Sequence, residues 1–354
     1  MLVKDIEGLI GMVRKMYAAN GVCEEQAREV AEILVETTMI GLASHGLFRT
    51  RQYIEGLKSG GIVANAPIET TYRNRAVAVV NGNWNFGHLS AKAAAKTAAE
   101  LAREYGIGCC TVRRTNHIGA LSVYTRMIAA GDCIALGFVG TAGMGNFVAP
   151  YGGRQGRVAT NPISFAAPTY DLPVSSDFST SMISEGKLKL LRDSGQKIAP
   201  IYAMDRNGAR ITDPNDFYEP AVGALLPLGE SQGYKGTALS VMNMILSCLL
   251  GGFNWRPDVH DGESGNNTLL LIAIDISYLN ETDRFKRELD EYAAYIRSSE
   301  PLPGFSEIMF PGDIENYKYR NGVNSGVEID AVTCGILREL CAEYSIDAGI
   351  LEEK

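Results

Sequence analysis

AVAVV (residues 76–80), HLSAKAAAKTAAELAREY (88–105), GCCTV (108–112), ALSVYTRMIAA (120–130) and IALGFV (134–139) decide the fold class. The first, third and fifth are short apolar runs, and Asn81-Gly82 closes the first with a turn dipeptide, so they read as strands. The second and fourth are long enough for helices and place their apolar residues at helical spacing. Strands and helices alternating in this way predict an α/β layered architecture.

Upstream lies a small helical unit. Ile6, Leu9, Ile10, Val13 and Met16 recur at 3.6-residue spacing until Asn20-Gly21 stops them, and Ala27, Val30, Ala31, Leu34 and Val35 mark a second helix ending near Met39-Ile40-Gly41. A third stretch runs through Tyr53, Ile54 and Leu57 and ends at Lys58-Ser59-Gly60-Gly61. Downstream, Gly140 to Asp205 is rich in Gly, Pro and Ser and is expected to be loop-heavy and site-forming, with a short strand at Ser164–Ala167. A helix at Ala238–Leu250, a strand at Asn267–Ile276, a helix at Phe285–Ile296, a loop at Pro301–Gly304 and a last helix through Ile329, Val332, Ile336, Leu337 and Leu340 follow. No repeat or low-complexity tract occurs.

With 354 residues, the chain suits two domains or one large α/β unit, and 46% hydrophobic residues exclude a disordered polymer. Its net charge of -8, from 33 Lys+Arg against 41 Asp+Glu, argues against nucleic acid as a partner but leaves a local basic cluster free to hold a small anion. Met1–Asp5 leads straight into an amphipathic pattern, and Val241–Leu250 is too short to span a membrane, so a cytoplasmic protein without a membrane partner is expected. Seven irregularly spaced Cys, five of them (Cys23, Cys133, Cys248, Cys334, Cys341) in apolar contexts, suggest reduced and mostly buried thiols.

Only four His occur, at 45, 88, 117 and 260, in no metal-binding frame, so no metal is expected. The adjacent Cys109 and Cys110 lie on a strand and point to opposite faces as core residues. In Ser44-His45-Gly46-Leu47-Phe48-Arg49, a helix starting near His45 puts an imidazole and a guanidinium at i, i+4 on one face. That pair suits proton transfer on a substrate whose carboxylate the Arg grips; equally, Ser44 caps a helix and the pair sits solvated on its surface. Arg113-Arg114-Thr115-Asn116-His117-Ile118-Gly119 follows a strand and opens a helix, where ligands bind in α/β sheets, and His117 there is either functional or a capping feature. The dinucleotide fingerprint G-x-G-x-x-G is absent; Gly140–Gly145, Gly152-Gly153-Arg154 and Ala159–Pro162 read as turns. Gly229-Glu230-Ser231-Gln232-Gly233 fits G-x-S-x-G, making a serine hydrolase with Ser231 and His260 the alternative function, although Pro227 interrupts the strand this motif needs. A non-catalytic binding protein on an enzyme scaffold is the third class.

As a set, these residues resemble the type 2 malate/L-lactate dehydrogenase family, which includes ureidoglycolate and sulfolactate dehydrogenases, 2,3-diketogulonate reductases and piperideine-2-carboxylate reductases. The resemblance rests on Ser44-His45-Gly46 with Arg49, Tyr53, Leu57 and Gly60-Gly61-Ile62, then Asn116–Gly119, Val148–Gly153, Thr160-Asn161-Pro162, Asp177–Ser181, Gly186-Lys187, Thr212-Asp213-Pro214, Leu226–Gly229, Lys235-Gly236 and Phe310–Asp313. These blocks are collinear over nearly the whole chain. The lysine loop is longer than the family's, Ala159 stands where a Gly is usual, Phe178 where a Met is commoner, and Asp313 where a Glu is commoner.

The resemblance implies an NAD(P)-dependent oxidoreductase of small 2-hydroxy/2-oxo acids, with NAD as cofactor and NADP the alternative. It implies an α/β fold in which a non-Rossmann NAD(P)-binding domain with a large mixed sheet joins a smaller helical domain: residues 1–70 with 305–354 helical, 71–304 binding cofactor and substrate. His45 or His117 handles the proton, Ser44 and Asp177 orient His45, and Arg49 binds the substrate carboxylate. Thr141, Asp177, Phe178, Ser179, Thr180, Ser181, Lys235, Gly236, Gly312 and Asp313 contact the cofactor. A homodimer is expected, with the N-terminal helices offering an apolar surface for it.

Overall fold

The computed structural model describes residues 1–220, 222–257 and 267–352. In chain order, β1 (Leu2–Val3), α1 (Ile6–Ala18), α2 (Glu24–Met39) and α3 (Thr50–Lys58) come first. β2 (Glu69–Tyr72) and β3 (Val77–Asn81) follow, and α4 (Gly87–Tyr105) carries the chain to β4 (Ile107–Thr115). α5 (Leu121–Ala129) leads to β5 (Cys133–Gly140), β6 (Ile163–Ala167) and β7 (Val174–Phe178). Next are α6 (Glu185–Asp193), β8 (Ala203–Met204), α7 (Asn215–Tyr218), β9 (Ala224–Leu225) and α8 (Tyr234–Met244), which continues into a π-helical turn at Ile245–Leu249. β10 (Asn267–Asp275), α9 (Thr282–Arg297), α10 (Asp313–Ser325), β11 (Val327–Glu328) and α11 (Ala331–Glu343) complete the described elements.

Seven strands form one mixed sheet in the order β2-β3-β4-β10-β5-β6-β7. β3 and β4 pair in parallel through the crossover helix α4, whereas the other neighbours are antiparallel. The α/β architecture read from residues 76–139 is therefore present, and the large mixed sheet implied by the resemblance with it. β10 occupies the centre, flanked by β4 and β5, which explains its unbroken apolar run: Leu269, Leu270, Leu271 and Ala273 are all buried.

Alanine lets α4 lie close on this sheet. Ala91, Ala94, Ala95, Ala98 and Ala102 are fully buried, and a Cβ on Gly108 of β4 would stand 2.0 Å from the Ala98 carbonyl oxygen. A second core gathers α1–α3 with β11 and α11 around Leu9, Val13, Tyr17, Leu34, Tyr53 and Leu337. A third, smaller one joins α6 to β8, α7 and β9 through Leu188, Ala203, Phe217 and Leu225. The N-terminal helices thus spend their apolar faces inside their own protomer, and the apolar surface expected there for a partner is not exposed.

The structure departs from the sequence expectations in several places. Arg113–Thr115 extend β4 rather than forming a loop, and α8 begins at Tyr234, four residues early. Cys23 is exposed just before α2; the other buried thiols are as expected, and all seven are unpaired. Most consequentially, no helix starts at His45. Ala43–His45 and Leu47–Arg49 are two 3-10 turns separated by Gly46 at φ -94°, ψ -136°, so His45 and Arg49 do not share a helical face.

Gly108→Ala has to push α4 off β4, and overpacking of this kind costs about 1–3 kcal/mol. We expect its urea midpoint to fall with an unchanged m-value in equilibrium unfolding followed by far-UV circular dichroism.

Candidate functional site

Glycine sets the loop that carries Ser44, His45 and Arg49. A Cβ on Gly46 would lie 2.3 Å from Thr38 Oγ1 of α2, and the Leu47 amide donates to the same hydroxyl at 3.0 Å. Clamped on the end of α2, the loop turns back on itself: Arg49 Nε donates to the Ser44 carbonyl at 2.7 Å and Nη1 to Gln52 Oε1 at 2.8 Å. His45 Nδ1 is hydrogen-bonded to Ser44 Oγ at 2.9 Å. Gly186, in the first turn of α6, approaches from the other side; a Cβ there would come within 2.5 Å of Arg49 Nη2.

His117 arrives from the sheet. Its neighbour Asn116 donates Nδ2 to the carbonyls of Trp84 at 2.8 Å, Gly61 at 3.0 Å and Asn85 at 3.1 Å, holding the end of β4 against the loop before α4. Gly87 permits that approach, since a Cβ there would be 2.4 Å from the His117 carbonyl oxygen. The Ile118 amide donates to Asn267 Oδ1 at the start of β10. Thus the two predicted histidines meet: the rings of His45 and His117 stack with centroids 5.8 Å apart and planes at 22°.

Two residues that sequence reasoning did not single out complete the cluster. Tyr53 of α3 bonds His117 Nδ1 through its hydroxyl at 2.7 Å. His88, fully buried at the start of α4, packs edge-on to Tyr53 with centroids 4.9 Å apart, and neither of its ring nitrogens has a hydrogen-bond partner. Tyr53 stood in the resembling block without a role; for His88, the scarcity of histidine was the only signal.

Burial governs the electrostatics. It pushes His45 down to about 4, with Arg49 adding a smaller repulsion, and His88 down to about 3. His117 is held well below the usual imidazole range by burial first, then by His45, Arg49 and His88. The Tyr53 phenol is pushed above its ordinary range by burial, so it keeps its proton at neutral pH. Asp177, at the end of β7, is raised to about 6 by burial, against the opposing effect of the Ser122 amide, which donates to its Oδ2 at 2.8 Å in the first turn of α5. Asp177 is therefore engaged by α5, while the Nδ1 bond of His45 goes to Ser44.

The expected cofactor residues fall into two groups. Thr180 N and Oγ1 donate to the Thr160 carbonyl, its own carbonyl accepts from the Leu228 amide, and Leu228 in turn accepts from Gly236, so Ser179–Ser181, Lys235 and Gly236 lie along one seam. Asn161 joins the same seam by donating to Ser240 Oγ of α8. Phe178 and Lys235 are exposed there, and Thr141 follows β5 with its hydroxyl on the Met144 carbonyl. Gly312 and Asp313 instead sit at the opposite end of β7. A Cβ on Gly312 would meet the Ser175 amide nitrogen at 2.8 Å, and Asp313 opens α10 in an ion pair with Arg297 at 2.6 Å.

Ser231 does not sit in a nucleophile elbow. It lies exposed in a 3-10 turn, and the nearest preceding strand is the two-residue β9. Its proposed partner His260 lies outside the described residues. Among the described residues, no group of three or more His, Cys, Asp or Glu is placed to hold a metal ion, and no helix is long and apolar enough to cross a membrane.

Comparison with known proteins gives one answer. Residues 5–338 match the malate/L-lactate dehydrogenase family. The chain is 33% identical over 340 residues to the malate/(S)-sulfolactate dehydrogenase of Methanothermus fervidus, covering 95% of this chain and 96% of that one. It is 28% identical to the NAD(+) ureidoglycolate dehydrogenase of Escherichia coli O157:H7, over 91% of each chain. Its fold matches the malate dehydrogenase of Pyrococcus horikoshii OT3 with a TM-score of 0.87 at 29% identity, over 98% of this chain and 96% of that one.

The depressed imidazoles make acid destabilising. From pH ~6.5, where a free His titrates, down towards 4, the unfolded chain takes up protons that His45, His88 and His117 refuse in the native state. Asp177 acts oppositely below pH 6 and offsets part of this. Stability is expected to fall on acidification, by up to about 1.4 kcal/mol per pH unit for each uncompensated imidazole. His88→Phe should flatten the slope in denaturant titrations between pH 7 and 4.5; an unchanged slope would remove His88 from this account.

Proposed function

This chain belongs to the malate/L-lactate dehydrogenase family and is a hydroxyacid dehydrogenase, and we propose that Arg49 holds the carboxylate of its small 2-hydroxy/2-oxo acid substrate while His45 and His117 manage the proton. One observation carries this reading. Two stacked imidazoles each have Nδ1 engaged by a hydroxyl, Ser44 for His45 and Tyr53 for His117, beside a guanidinium whose plane is fixed by Ser44 and Gln52. With Nδ1 taken, Nε2 is the atom each ring offers to a substrate. Either tautomer of the neutral His117 ring fits the Tyr53 bond: with Nδ1–H donating to the phenol oxygen, Nε2 is free to accept a proton, and with the phenol donating to Nδ1, Nε2 carries the proton the ring can give.

The family implies a nicotinamide cofactor, and the exposed ammonium of Lys235, on the seam that also holds Ser179–Ser181, fits the anionic phosphates of a dinucleotide, whereas Gly312 packs on Ser175 at the other end of β7. A bound nicotinamide supplies or accepts the hydride at the substrate's C2. The protein's part is to hold the carboxylate at Arg49 and exchange the hydroxyl proton at Nε2 as that hydride moves. Before substrate arrives both imidazoles are neutral at pH 7, ready to take the proton of a 2-hydroxy acid. A carboxylate on Arg49 cancels part of the repulsion that keeps His45 unprotonated, so 2-oxo acid binding prepares the same ring to give a proton back.

NAD is our choice of cofactor, with the name of the ureidoglycolate relative as support, and NADP the alternative to be tested beside it. A malate- or sulfolactate-type acid is the substrate favoured by the names of the relatives. We further read residues 1–70 with 305–354 and residues 71–304 as the two domains, supported by a separate core whose members, Phe86 and Leu89 of the larger domain apart, fall at Val3–Ile62 and Val327–Leu351. The working form is taken to be a cytoplasmic homodimer; exposed Val241, Met242, Ile245 and Leu249 along α8 and its π turn support a partner surface there.

A panel of short 2-oxo acids with NADH and NADPH, followed at the nicotinamide absorbance, is expected to reveal turnover with at least one acid; none with any would refute the substrate class. His45→Ala and His117→Ala separate the two imidazoles. The one that exchanges the proton should lose about 10²–10⁴-fold in kcat with cofactor binding intact. Retention of activity by both would overturn the proton assignment. Arg49→Lys should raise KM at least tenfold for every acid tested, since a single ammonium replaces the guanidinium fork.

A further inference from the structure

The turn Gly152-Gly153-Arg154 and the hairpin after β8 form a cleft that the proposed chemistry does not use. It has a volume of about 520 Å³, and Arg154, Arg157 and Arg206 line it with no Asp or Glu among the lining residues. Volumes of about 300–1,000 Å³ are those of small-molecule sites. Its floor is strapped backbone. Phe147 and Val148 exchange hydrogen bonds with Arg157, Val158 and Leu225, and a Cβ on Gly156 would stand 2.0 Å from the Asn146 carbonyl oxygen. The nearest acid in sequence, Asp205, spends its Oδ1 on the amides of Asn207 and Ala209 at 2.8 and 2.9 Å, closing its own turn.

These arginines differ from the ion-paired ones of the chain. Arg14, Arg28, Arg51, Arg297 and Arg320 each hold a carboxylate. Among the described residues, Arg154 and Arg206 have no ion-pair partner, and Arg157 bonds only the neutral Gln155 side chain and Gly156 carbonyl. In a protein of charge -8, carboxylates are plentiful, yet three guanidinium groups crowd one cleft without any. Arg210 adds a fourth in the adjoining cleft, which it shares with Arg154 and with the carboxylate of Glu230. Like charges held together repel, and an anion with several charged oxygens relieves that repulsion while accepting bidentate hydrogen bonds.

We propose that Arg154, Arg157 and Arg206 bind a molecule carrying two or more phosphate groups. A single phosphate matches one guanidinium fork; three forks around this volume call for more than one. The cleft shares no lining residue with the cluster around His45 and Arg49. It does connect to the candidate cofactor seam, because Arg157 precedes Thr160 by three residues and the Thr160 carbonyl holds Thr180 at 2.9 Å. The phosphates have two sources: a free polyphosphate effector, or NADPH, whose pyrophosphate and extra phosphate together supply them. The second source rests on the dehydrogenase reading above, and the first does not.

Calorimetric titration of the full-length protein with inorganic pyrophosphate at low ionic strength tests the site without any turnover. Saturable binding is expected, weakening steeply with added salt and at least tenfold in Arg154→Gln/Arg206→Gln. Arg206→Gln alone, on an exposed turn, guards against misfolding of the double variant, and Arg287→Gln on α9 removes a charge elsewhere as the control. Steady-state kinetics with NADH and NADPH then distinguish the sources. A rise in KM for NADPH beyond any for NADH assigns the cleft to that cofactor's phosphates, whereas unchanged KM for both alongside lost pyrophosphate binding assigns it to a free polyphosphate. The proposal is overturned if pyrophosphate binds as tightly to the Arg154/Arg206 variant as to the parent. It is equally overturned if the parent shows neither saturable binding nor any variant-dependent change in cofactor KM.

Discussion

The hydrogen bond between the Tyr53 hydroxyl and His117 Nδ1, 2.7 Å long, is where the two large cores of this protein become one machine. Tyr53 is rooted in the core of α1–α3, and His117 belongs to the loop that leaves the sheet at β4. In the proposed reading neither imidazole is useful alone, because Arg49, the proposed carboxylate anchor, comes with Tyr53 and His45 while the proposed cofactor seam comes with the sheet. A shift of about 1 Å between the cores would separate that proposed anchor from His117, and misplacement on that scale is enough to cost an enzyme orders of magnitude. Asn116, with three carbonyls on one amide, and Gly87, with a carbonyl where a side chain would be, keep that separation from opening.

How much of this was legible depended on whether a residue's neighbours are near it in sequence. α2 and α4 declare themselves because their apolar residues face one continuous surface, which periodicity reports directly, and β10 because its apolar run is unbroken on both faces. α10 carries no such stripe: in DIENYKYRNGVNS the buried positions are Asn316 and Gly322, held by Arg126 from α5 and by Met39 from α2, so tertiary contacts alone reveal it. The pairing of His45 with Arg49 was anticipated, but for a geometric reason the chain does not use. Gly46 breaks the helix, and the guanidinium reaches the Ser44 carbonyl by folding back. His88 was invisible because a histidine in an alanine-rich helix looks like any other core residue until Tyr53 is seen against it.

Charge follows a similar pattern. The acidic sequence suggested that positive groups would gather where anions are handled, with Arg49 and Lys235 as the first candidates and Arg113 or Arg114 beside them. Arg49 does stand in the histidine cluster, and Lys235 is exposed in the first turn of α8. Among the described residues, a group without ion-pair partners lies elsewhere, at Arg154, Arg157 and Arg206, which are separated by about 50 residues of chain and brought together by the pairing of β8 with β9 and of Val148 with Val158. Sequence proximity could not have shown it.

The central position of β10 bears on how the chain is made. β4 and β5 are synthesised early, yet neither can pair with the other, because the strand that belongs between them is translated only after residue 266. Until then two apolar strands with open hydrogen-bonding edges wait on the ribosome, the circumstance in which nascent chains aggregate or recruit chaperones. Slow translation through the segment before β10 would lengthen that exposure, and any attempt to express the sheet as a fragment ending before Asn267 would release it with a gap at its centre.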